Sequence, residues 1–483
     1  MTTASVPALD VAAIVEGVGH LVDGRIFRDG QTFSVDDPST GRELAQCPEA
    51  TIELVGAALK AAAAAQPGWT ERPIEERRAV LREMADALER EADQVATVIS
   101  AESGKHISQS SLELQGALIG LRYWAEFEIP VDVVRDDETE RVTLERMPVG
   151  VVAAIVPWNS PIVLLAHKVG PALLPGNTIV VKPSPFTPLS ALVVARIWKD
   201  IVPAGVVNIV AGGDDVGKTM VSHKATRMIS FTGSIGAGMA IMESAAKDLK
   251  RVALELGGND AAIVLDDVDL KQIAPRLYGH AFMWTGQICA AIKRLYVPRE
   301  KFEETVQALA ELAESERVGG PYEEGVTMGP LTTEQQLNRV KELVDDAVAA
   351  GAEVRAGGKP LDRDGWFYSP TILTGVGAGV RVVDEEQFGP VLPVIPYDDV
   401  DEAISQANDT DFGLGASVWS NDVERAKQVA RRLDAGSTWI NRHAVPGADL
   451  PFGGVKHSGV GRENGLPGLD HYCELRTVSI LYP

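Results

Sequence analysis

Between residues 50 and 101 the apolar positions recur at helical spacing. The stretches 50–66 and 73–101 are rich in Ala, Glu and Arg, with Pro73 at a first helical position and Gly104 after the second run as a stop. They predict helices that cover a larger body. From residue 150 the texture changes to short apolar, β-branched runs. GVVAAIVPW (150–158), TIVVKPS (178–184), VVNIVAG (206–212) and MISFTGS (228–234) alternate with helical stretches at 161–176 and 187–200 and a further short helix. Strands that are apolar throughout and separated by helices predict a parallel sheet covered on both faces. A second series, from about 257 to 445, has strands expected near 260–265, 293–298, 352–357, 414–419 and 437–442. The fold class is therefore α/β, doubly wound, with two α/β domains in series.

Two segments fit neither series. VDVVRDDETERVTLERMPVG (131–150) reads as an exposed hairpin, and LRTVSILY (475–482) as a lone terminal strand. An open edge strand invites pairing with another chain. The pair is read as an oligomerisation arm, with a local ribbon inside one subunit as the alternative.

Composition narrows the function classes. At ~150 residues per domain, 483 residues suggest roughly three domains. The formal charge of −23 makes non-specific attraction to nucleic acid or anionic lipid repulsive. No run of ~18 apolar residues is present, and residues 1–24 lack the pattern of a signal peptide. Three scattered cysteines, Cys47, Cys289 and Cys473, form no disulfide framework and fit a reducing, cytoplasmic setting. No metal site is expected, since no histidine falls in an H-x-x-x-H or H-E-x-x-H pattern and no cysteine in C-x-x-C.

Several short motifs could carry chemistry. GQICAA (286–291) sets Cys289 among small residues. A thiol is a strong nucleophile only as thiolate, so it needs a nearby base or a positive field; most single cysteines are inert packing residues. LELGGND (254–260) puts Glu255 at the end of an apolar strand, where lost solvent raises a carboxylate toward the range of a general base. The plain alternative is a paired strand-end Glu. PWN (157–159) places Asn159 at a strand's carboxyl end, where its amide could hold an oxyanion or merely form a turn. FTGSIGAG (231–238) is not the G-x-G-x-x-G fingerprint, yet Gly and Ser at a helix N-terminus suit a pyrophosphate. In EEQFGPVLP (385–393), Glu386 could hold ribose hydroxyls and Phe388 could wall a nicotinamide; in isolation this is only a charged loop.

In order, Pro157-Trp158-Asn159, Lys182-Pro183-Ser184, Phe231-Thr232-Gly233-Ser234 with Gly238, Glu255-Leu256-Gly257-Gly258, Gly286-Gln287-Ile288-Cys289, Glu386-Gln387-Phe388-Gly389-Pro390 and Pro451-Phe452-Gly453-Gly454 with Ser458-Gly459 resemble the aldehyde dehydrogenase superfamily. The resemblance runs from about residue 20 to the C-terminus. Glu255 and Cys289 lie 34 positions apart, and Cys289 and Glu386 97, as in that family.

The resemblance implies a Rossmann-like cofactor domain (1–126 and 148–256), a catalytic domain (257–452) and a small β oligomerisation arm (127–147 and 471–483). It implies a non-acylating, NAD- or NADP-dependent enzyme assembled as a homodimer or homotetramer. Cys289 would attack the aldehyde, Asn159 and the Cys289 N–H would hold the oxyanion, and Glu255 would activate the hydrolytic water. Lys182 would contact the adenosine ribose. Gly233, Ser234 and Gly238 would lie by the pyrophosphate, and Glu386 would hold the nicotinamide ribose beside Phe388. Trp158, Ser184, Gly213, Gly217, Phe231, Leu256 and Gly257 complete the implied cofactor set. Many NAD-specific members carry Glu three residues after the Lys; Pro185 stands there instead, which removes a repulsion toward a 2′-phosphate.

Phe282, Met283, Trp284, Ile288 and Phe452, with the loop Arg442 to Val445 that includes His443, are expected at the substrate channel. Their character favours an uncharged aliphatic or aromatic aldehyde, with Arg442 and His443 leaving a carboxylate-bearing semialdehyde open. Two rivals remain at this point: a CoA-acylating semialdehyde dehydrogenase, against which Glu255 speaks, and a catalytically inactive binding or structural homologue, against which the retained Cys289, Glu255 and Asn159 speak.

Overall fold

The computed structural model describes residues 9–445 and 447–483, so the reading of residues 1–8 lies outside the described residues. The strands collect into two large sheets and two small ones. The first large sheet has five parallel strands at its centre, in the order Arg251–Glu255, Thr226–Thr232, Val151–Ile155, Thr178–Lys182, Val207–Ile209. Alternate residues of these strands serve opposite faces. Val152, Ala154, Ile179 and Val181 join one apolar cluster with Trp69, Trp124 and Trp198, while Val151, Ala153 and Val180 join another with Val55 and Leu59. That division is why the runs read as apolar throughout.

The second sheet runs Glu353–Ala356, Thr371–Thr374, Val391–Tyr397, Ile292–Pro298, Asp260–Val264, Gly415–Trp419, Ser437–Ile440, parallel except at its first pair. It too is covered on both faces, with Ala261 and Ile263 in one cluster and Ala262 and Val264 in the other.

The structure adds to and corrects the sequence expectations. Strands Thr371–Thr374 and Val391–Tyr397 were not anticipated; Pro393 and Pro396 remove ladder donors and mask the second of them. His20–Val22 with the edge strand Arg25–Phe27 on one side, and Gly459–Val460 on the other, extend the first sheet by antiparallel pairing. The expected helix 73–101 is two helices, Ile74–Arg90 and Ala92–Ser103, separated at Glu91. The second helix is buried at every position from Val95 to Ser103, so the chain turns there into the core. Gly104, at φ 78°, ends it as expected, and its N–H donates to Ser100 O at 2.9 Å.

The terminal strand is not alone. Cys473–Leu481 pairs antiparallel along the whole of Glu140–Pro148, which pairs in turn with Asp132–Asp136, giving a three-stranded sheet within one chain. Among the described residues no helix is long and apolar enough to cross a membrane.

One buried carboxylate ties the N-terminal helices to the first sheet's covering layer. Glu102, fully buried, accepts from the N–H groups of Leu189 (2.7 Å) and Ser190 (3.0 Å), capping the helix Leu189–Trp198 from outside it. Burial pushes its carboxyl up to about 8, against the pull of the Ser190 and Leu189 donors. A group whose pKa is raised on folding stabilises the fold most below its ordinary value and loses that contribution as pH climbs through the raised one. The melting temperature is therefore expected to fall between about pH 5 and about pH 8. Glu102→Gln should flatten that part of the profile in calorimetry; an unchanged slope would refute the assignment.

Candidate active site

The parallel register of the first sheet brings the carboxyl ends of its strands into line. Ile155 pairs with Lys182 and with Phe231, and Thr232 with Glu255. This is the edge at which doubly wound sheets hold ligands. Beyond Ile155 the chain passes through Pro157, Trp158 and Asn159 into the helix Pro161–Leu173, with proline at its first position. Asn159 is buried, and its Nδ2 donates to the carbonyl of Gln287 at 2.9 Å. The PWN turn is thus tied to the segment that carries Cys289.

That segment has an unusual backbone. After the helix Leu270–Phe282, Trp284 (φ 53°), Thr285 (φ 60°) and Gly286 (φ 70°) are all left-handed. The two non-glycine residues cost about 1–2 kcal/mol each. Contacts from distant elements hold the turn. Thr285 Oγ1 donates to Gly329 O (3.0 Å), Lys293 Nζ to Gly286 O (2.6 Å), and the N–H of Thr332 to Gln287 Oε1 (3.0 Å). Glycine is required at 286 and 258 by close approach: a methyl group at 286 would strike the carbonyl of Gly389, and one at 258 the carbonyl of Cys289.

Cys289 is half-buried at the end of this turn. Of the two routes to a reactive thiol, a nearby base or a positive field, the surroundings favour the base. Burial pushes its thiol well above the ordinary range, and the carboxylates of Glu255, Glu386 and Asp260 push it further. The resting side chain is a thiol, so nucleophilic attack has to be coupled to proton removal.

Glu255 ends its strand buried against Gly453, and its Oε2 has no hydrogen-bond partner among the described residues. Burial raises its carboxyl well above the ordinary range, helped by Glu463; Lys168 and Arg462 oppose the rise. Lys168 and Glu463 form a fully buried ion pair. Lys168 Nζ also donates to Ser230 Oγ (3.1 Å) and Thr232 Oγ1 (2.9 Å), and Tyr472 OH to Ser230 Oγ (2.9 Å). Sequence reasoning did not pick out this cluster. Its one visible signal is a lysine inside the apolar helical run 161–176.

The residues expected to hold a dinucleotide lie along the same edge and beyond it. Lys182 is buried, with its pKa lowered to about 8 by burial while Asp214 pulls the other way, and its Nζ donates to Pro183 O at 2.9 Å. Gly217 lies beside the Lys182 stem, and Gly213 precedes the helix Asp214–Ser222, its N–H donating to Glu49 Oε1 (3.4 Å). Ser184 is buried and its Oγ accepts from the N–H of Phe186 (3.3 Å). Ser234 caps the helix Ile235–Ala246, with Gly233 against the Phe231 ring and Gly238 against Leu256. At the far end Glu386 lies against Gly257 and accepts from the N–H of Gly258 (3.1 Å). Burial pushes its carboxyl up to about 7, against the pull of Lys293. The rings of Phe388 and Trp158 meet edge-on at 5.2 Å and 81°. A buried ammonium, a capped helix N-terminus and an aromatic corner fit the ribose, pyrophosphate and ring of such a cofactor.

Over residues 27–478 the sequence matches the profile of the aldehyde dehydrogenase family. The chain belongs to that family. It is 36% identical to phenylacetaldehyde dehydrogenase of Pseudomonas fluorescens over 498 residues, covering 99% of this chain and 98% of that one. It is 36% identical to succinate-semialdehyde dehydrogenase [NADP(+)] GabD of Escherichia coli, covering 94% and 95%. Its fold superposes on the NAD+ complex of aldehyde dehydrogenase from Bacillus cereus with a TM-score of 0.95 at 35% identity, covering 98% of both chains. The protein is an NAD(P)-dependent aldehyde dehydrogenase.

Around the dehydrogenase's Cys289, the expected channel residues divide. Phe282 stacks on Tyr278 (4.4 Å, 29°), and with Met283 it lines a cavity of about 420 Å³ that also includes Gln109, Arg276 and Met328. Ile288 and Trp284 are half-buried in the cysteine turn. Phe452 is half-buried and pairs backbone to backbone with Glu463 (2.8 and 2.7 Å). His443 departs from the expectation. Its imidazole is fully buried, 2.9 Å from Ser417 Oγ and 3.4 Å from Asp260 Oδ2, so it belongs to the interior beside the second sheet and not to the cavity wall.

Proposed function

We propose that aldehyde oxidation proceeds through a covalent adduct on Cys289, and the observation that carries this is the Asn159 to Gln287 hydrogen bond. That bond ties Asn159 to the residue two positions before Cys289 and occupies one Nδ2 hydrogen; the other is the one an oxyanion would take, which supports the reading. Cys289 Sγ attacks the aldehyde carbon as its proton leaves for the nearby carboxylates. The carbonyl pair becomes an oxyanion held by Asn159 Nδ2–H and the Cys289 N–H. When bound, NAD(P)+ would supply the hydride acceptor; the adduct carbon on Cys289 Sγ is thereby oxidised to the thioester level. Lys182, Ser184, Gly213, Gly217, Ser234 and Gly238 would hold the adenosine and pyrophosphate, with Glu386, Phe388, Trp158 and Gly257 at the nicotinamide end. Glu255 then takes a proton from water, hydroxide adds to the thioester carbon, and the C–S bond breaks to release the acid and restore the thiol.

The raised carboxyl of Glu255 sets the pH dependence. A general base works only when ionised, so kcat is expected to rise with pH over a range well above that of an ordinary carboxylate. Glu255→Gln should lower kcat by about 10²-fold or more and abolish that rise, while a burst of reduced dinucleotide near one per active site persists. Cys289→Ala should abolish burst and turnover together. Undiminished turnover by either variant would overturn the scheme. Water as acceptor, favoured by Glu255 over CoA, is tested in the same assay by analysing the product with and without CoA.

For cofactor and substrate, Pro185 removes the carboxylate that many NAD-specific members carry three residues after the Lys, although Asp214 still acts on Lys182, so NADP turnover is expected alongside NAD. The apolar character of Phe282, Met283, Trp284 and Ile288 favours an uncharged aliphatic or aromatic aldehyde. Ranking both cofactors and an aldehyde panel by kcat/KM checks both statements; no NADP turnover, or a preference for a carboxylate-bearing aldehyde, would refute them.

The division into a cofactor domain (1–126 and 148–256), a catalytic domain (257–452) and an arm (127–147 and 471–483) is proposed on the same footing. The arm exposes Val133, Val134, Leu475, Ile480 and Leu481, apolar surface suited to a second copy of the chain. Deleting residues 475–483 is expected to shift light-scattering mass toward the monomer; an unchanged mass would refute the role.

A further inference from the structure

Two elements of the site that meet at the Asn159 to Gln287 bond are also joined from below. The helices Ala92–Ser103 and Ile107–Glu126 are connected by a short turn that carries Lys105, whose ammonium is buried. Lys105 Nζ donates to Glu113 Oε2 and lies 4.2 Å from the centre of the Trp284 ring. The other carboxylate oxygen, Glu113 Oε1, accepts from the N–H groups of Ile162 (2.9 Å) and Val163 (3.4 Å). These are first-turn amides of the helix Pro161–Leu173, whose own N-cap, Ser160, makes no side-chain bond to them among the described residues. Glu113 supplies the missing cap from another helix.

We propose that Lys105 and Glu113 are positioning residues for aldehyde oxidation, their buried ion pair setting the spacing between Asn159 and the Cys289 turn. Glu113 holds the helix that begins two residues after Asn159. Lys105 holds the ring of Trp284, the first of the three left-handed residues before Cys289. Neither side chain reaches the reacting atoms, so both act through others. The same turn makes a second tie: Thr332 Oγ1 donates to Ser103 O (2.9 Å), and the Thr332 N–H to Gln287 Oε1 (3.0 Å), on the residue whose carbonyl receives Asn159. A buried ion pair is a weak source of net stability, because desolvation offsets its attraction, but its fixed geometry can specify register. The inference rests on the oxyanion role proposed for Asn159.

The test compares Lys105→Met, Lys105→Arg, Asn159→Ala and the Lys105→Met/Asn159→Ala pair in the intact enzyme. Lys105→Met is expected to slow the burst of reduced dinucleotide by about tenfold, since small misplacements of reacting groups are costly. The KM for aldehyde and the dissociation constant for NAD, read by fluorescence titration, should stay within about twofold. Lys105→Arg, which keeps a cation over the ring, should recover most of the rate. The double variant should be no more than about twofold slower than Asn159→Ala, because the first change acts through the second. Trp284→Leu reaches the same contact without unpairing Glu113 and should slow the burst as Lys105→Met does. A wild-type burst in both Lys105→Met and Trp284→Leu, or losses that multiply with Asn159→Ala, would overturn the proposal. An unchanged rate in Asn159→Ala would overturn the oxyanion reading beneath it.

Discussion

The proposed chemistry depends on one hydrogen bond across a junction. Asn159 follows a strand of the first sheet, and Gln287 lies in a turn feeding the second, yet Nδ2 and the carbonyl meet at 2.9 Å inside the protein. An amide donor is useful for an oxyanion only if it is already in place, since reorganising it during reaction would consume the stabilisation it offers. The sheets supply rigid ends, and the packing between them converts two separate strand ends into one site. Gly258 shows how little tolerance there is, because the carbonyl of Cys289 occupies the space a side chain would need.

The electrostatics of the site follow from burial more than from pairing. Glu255, Glu386 and Cys289 all have pKa values moved upward, each chiefly by lost solvent, and the neighbouring acids reinforce the shift. Lys182 and Lys293 move downward for the same reason. A pocket of this kind disfavours isolated charge of either sign, so protons have to be handed between its own groups when a charge appears. That suits a sequence in which a thiol must lose a proton and a water must lose another. The Lys168 and Glu463 pair, close enough to act on Glu255, holds opposite charges in direct contact, with Lys168 also donating to Ser230 and Thr232.

Much of this was legible in the chain and some was not, for identifiable reasons. The parallel strands stood out because burial on both faces makes Val151–Ile155 apolar at every step and Thr178–Lys182 apolar from Ile179 to Val181. Val391–Tyr397 is equally central, but Pro393 and Pro396 erase the pattern by which a strand is recognised. The break at Glu91 has no glycine or proline to announce it; it is imposed by the burial of the helix that follows. Glu255 and Asn159 were visible at suggestive strand ends and Cys289 among small residues, each ambiguous alone. Their partners were not, since Lys168 and Glu463 stand 295 positions apart and neither sits in a motif. His443 shows the converse error: a polar residue in a loop near the site reads as a wall of the channel until Ser417 and Asp260 are seen to claim it.

The cysteine turn itself explains why motif and function are not the same thing. Trp284, Thr285 and Gly286 adopt a conformation that the local sequence does not favour, and two of the three lack glycine's freedom. Such strain persists only where surrounding structure over-determines it. Here the restraints come from Lys105 near the first helices, from Gly329 and Thr332 in a loop of the second half, and from Lys293 on the next strand. Each contributes a single contact, and none lies within the Gly286 to Cys289 motif. A transplanted motif would relax. The position of the Cys289 sulfur is therefore a property of the assembled chain, and loosening any distant restraint should show at the reacting carbon before it shows in the fold.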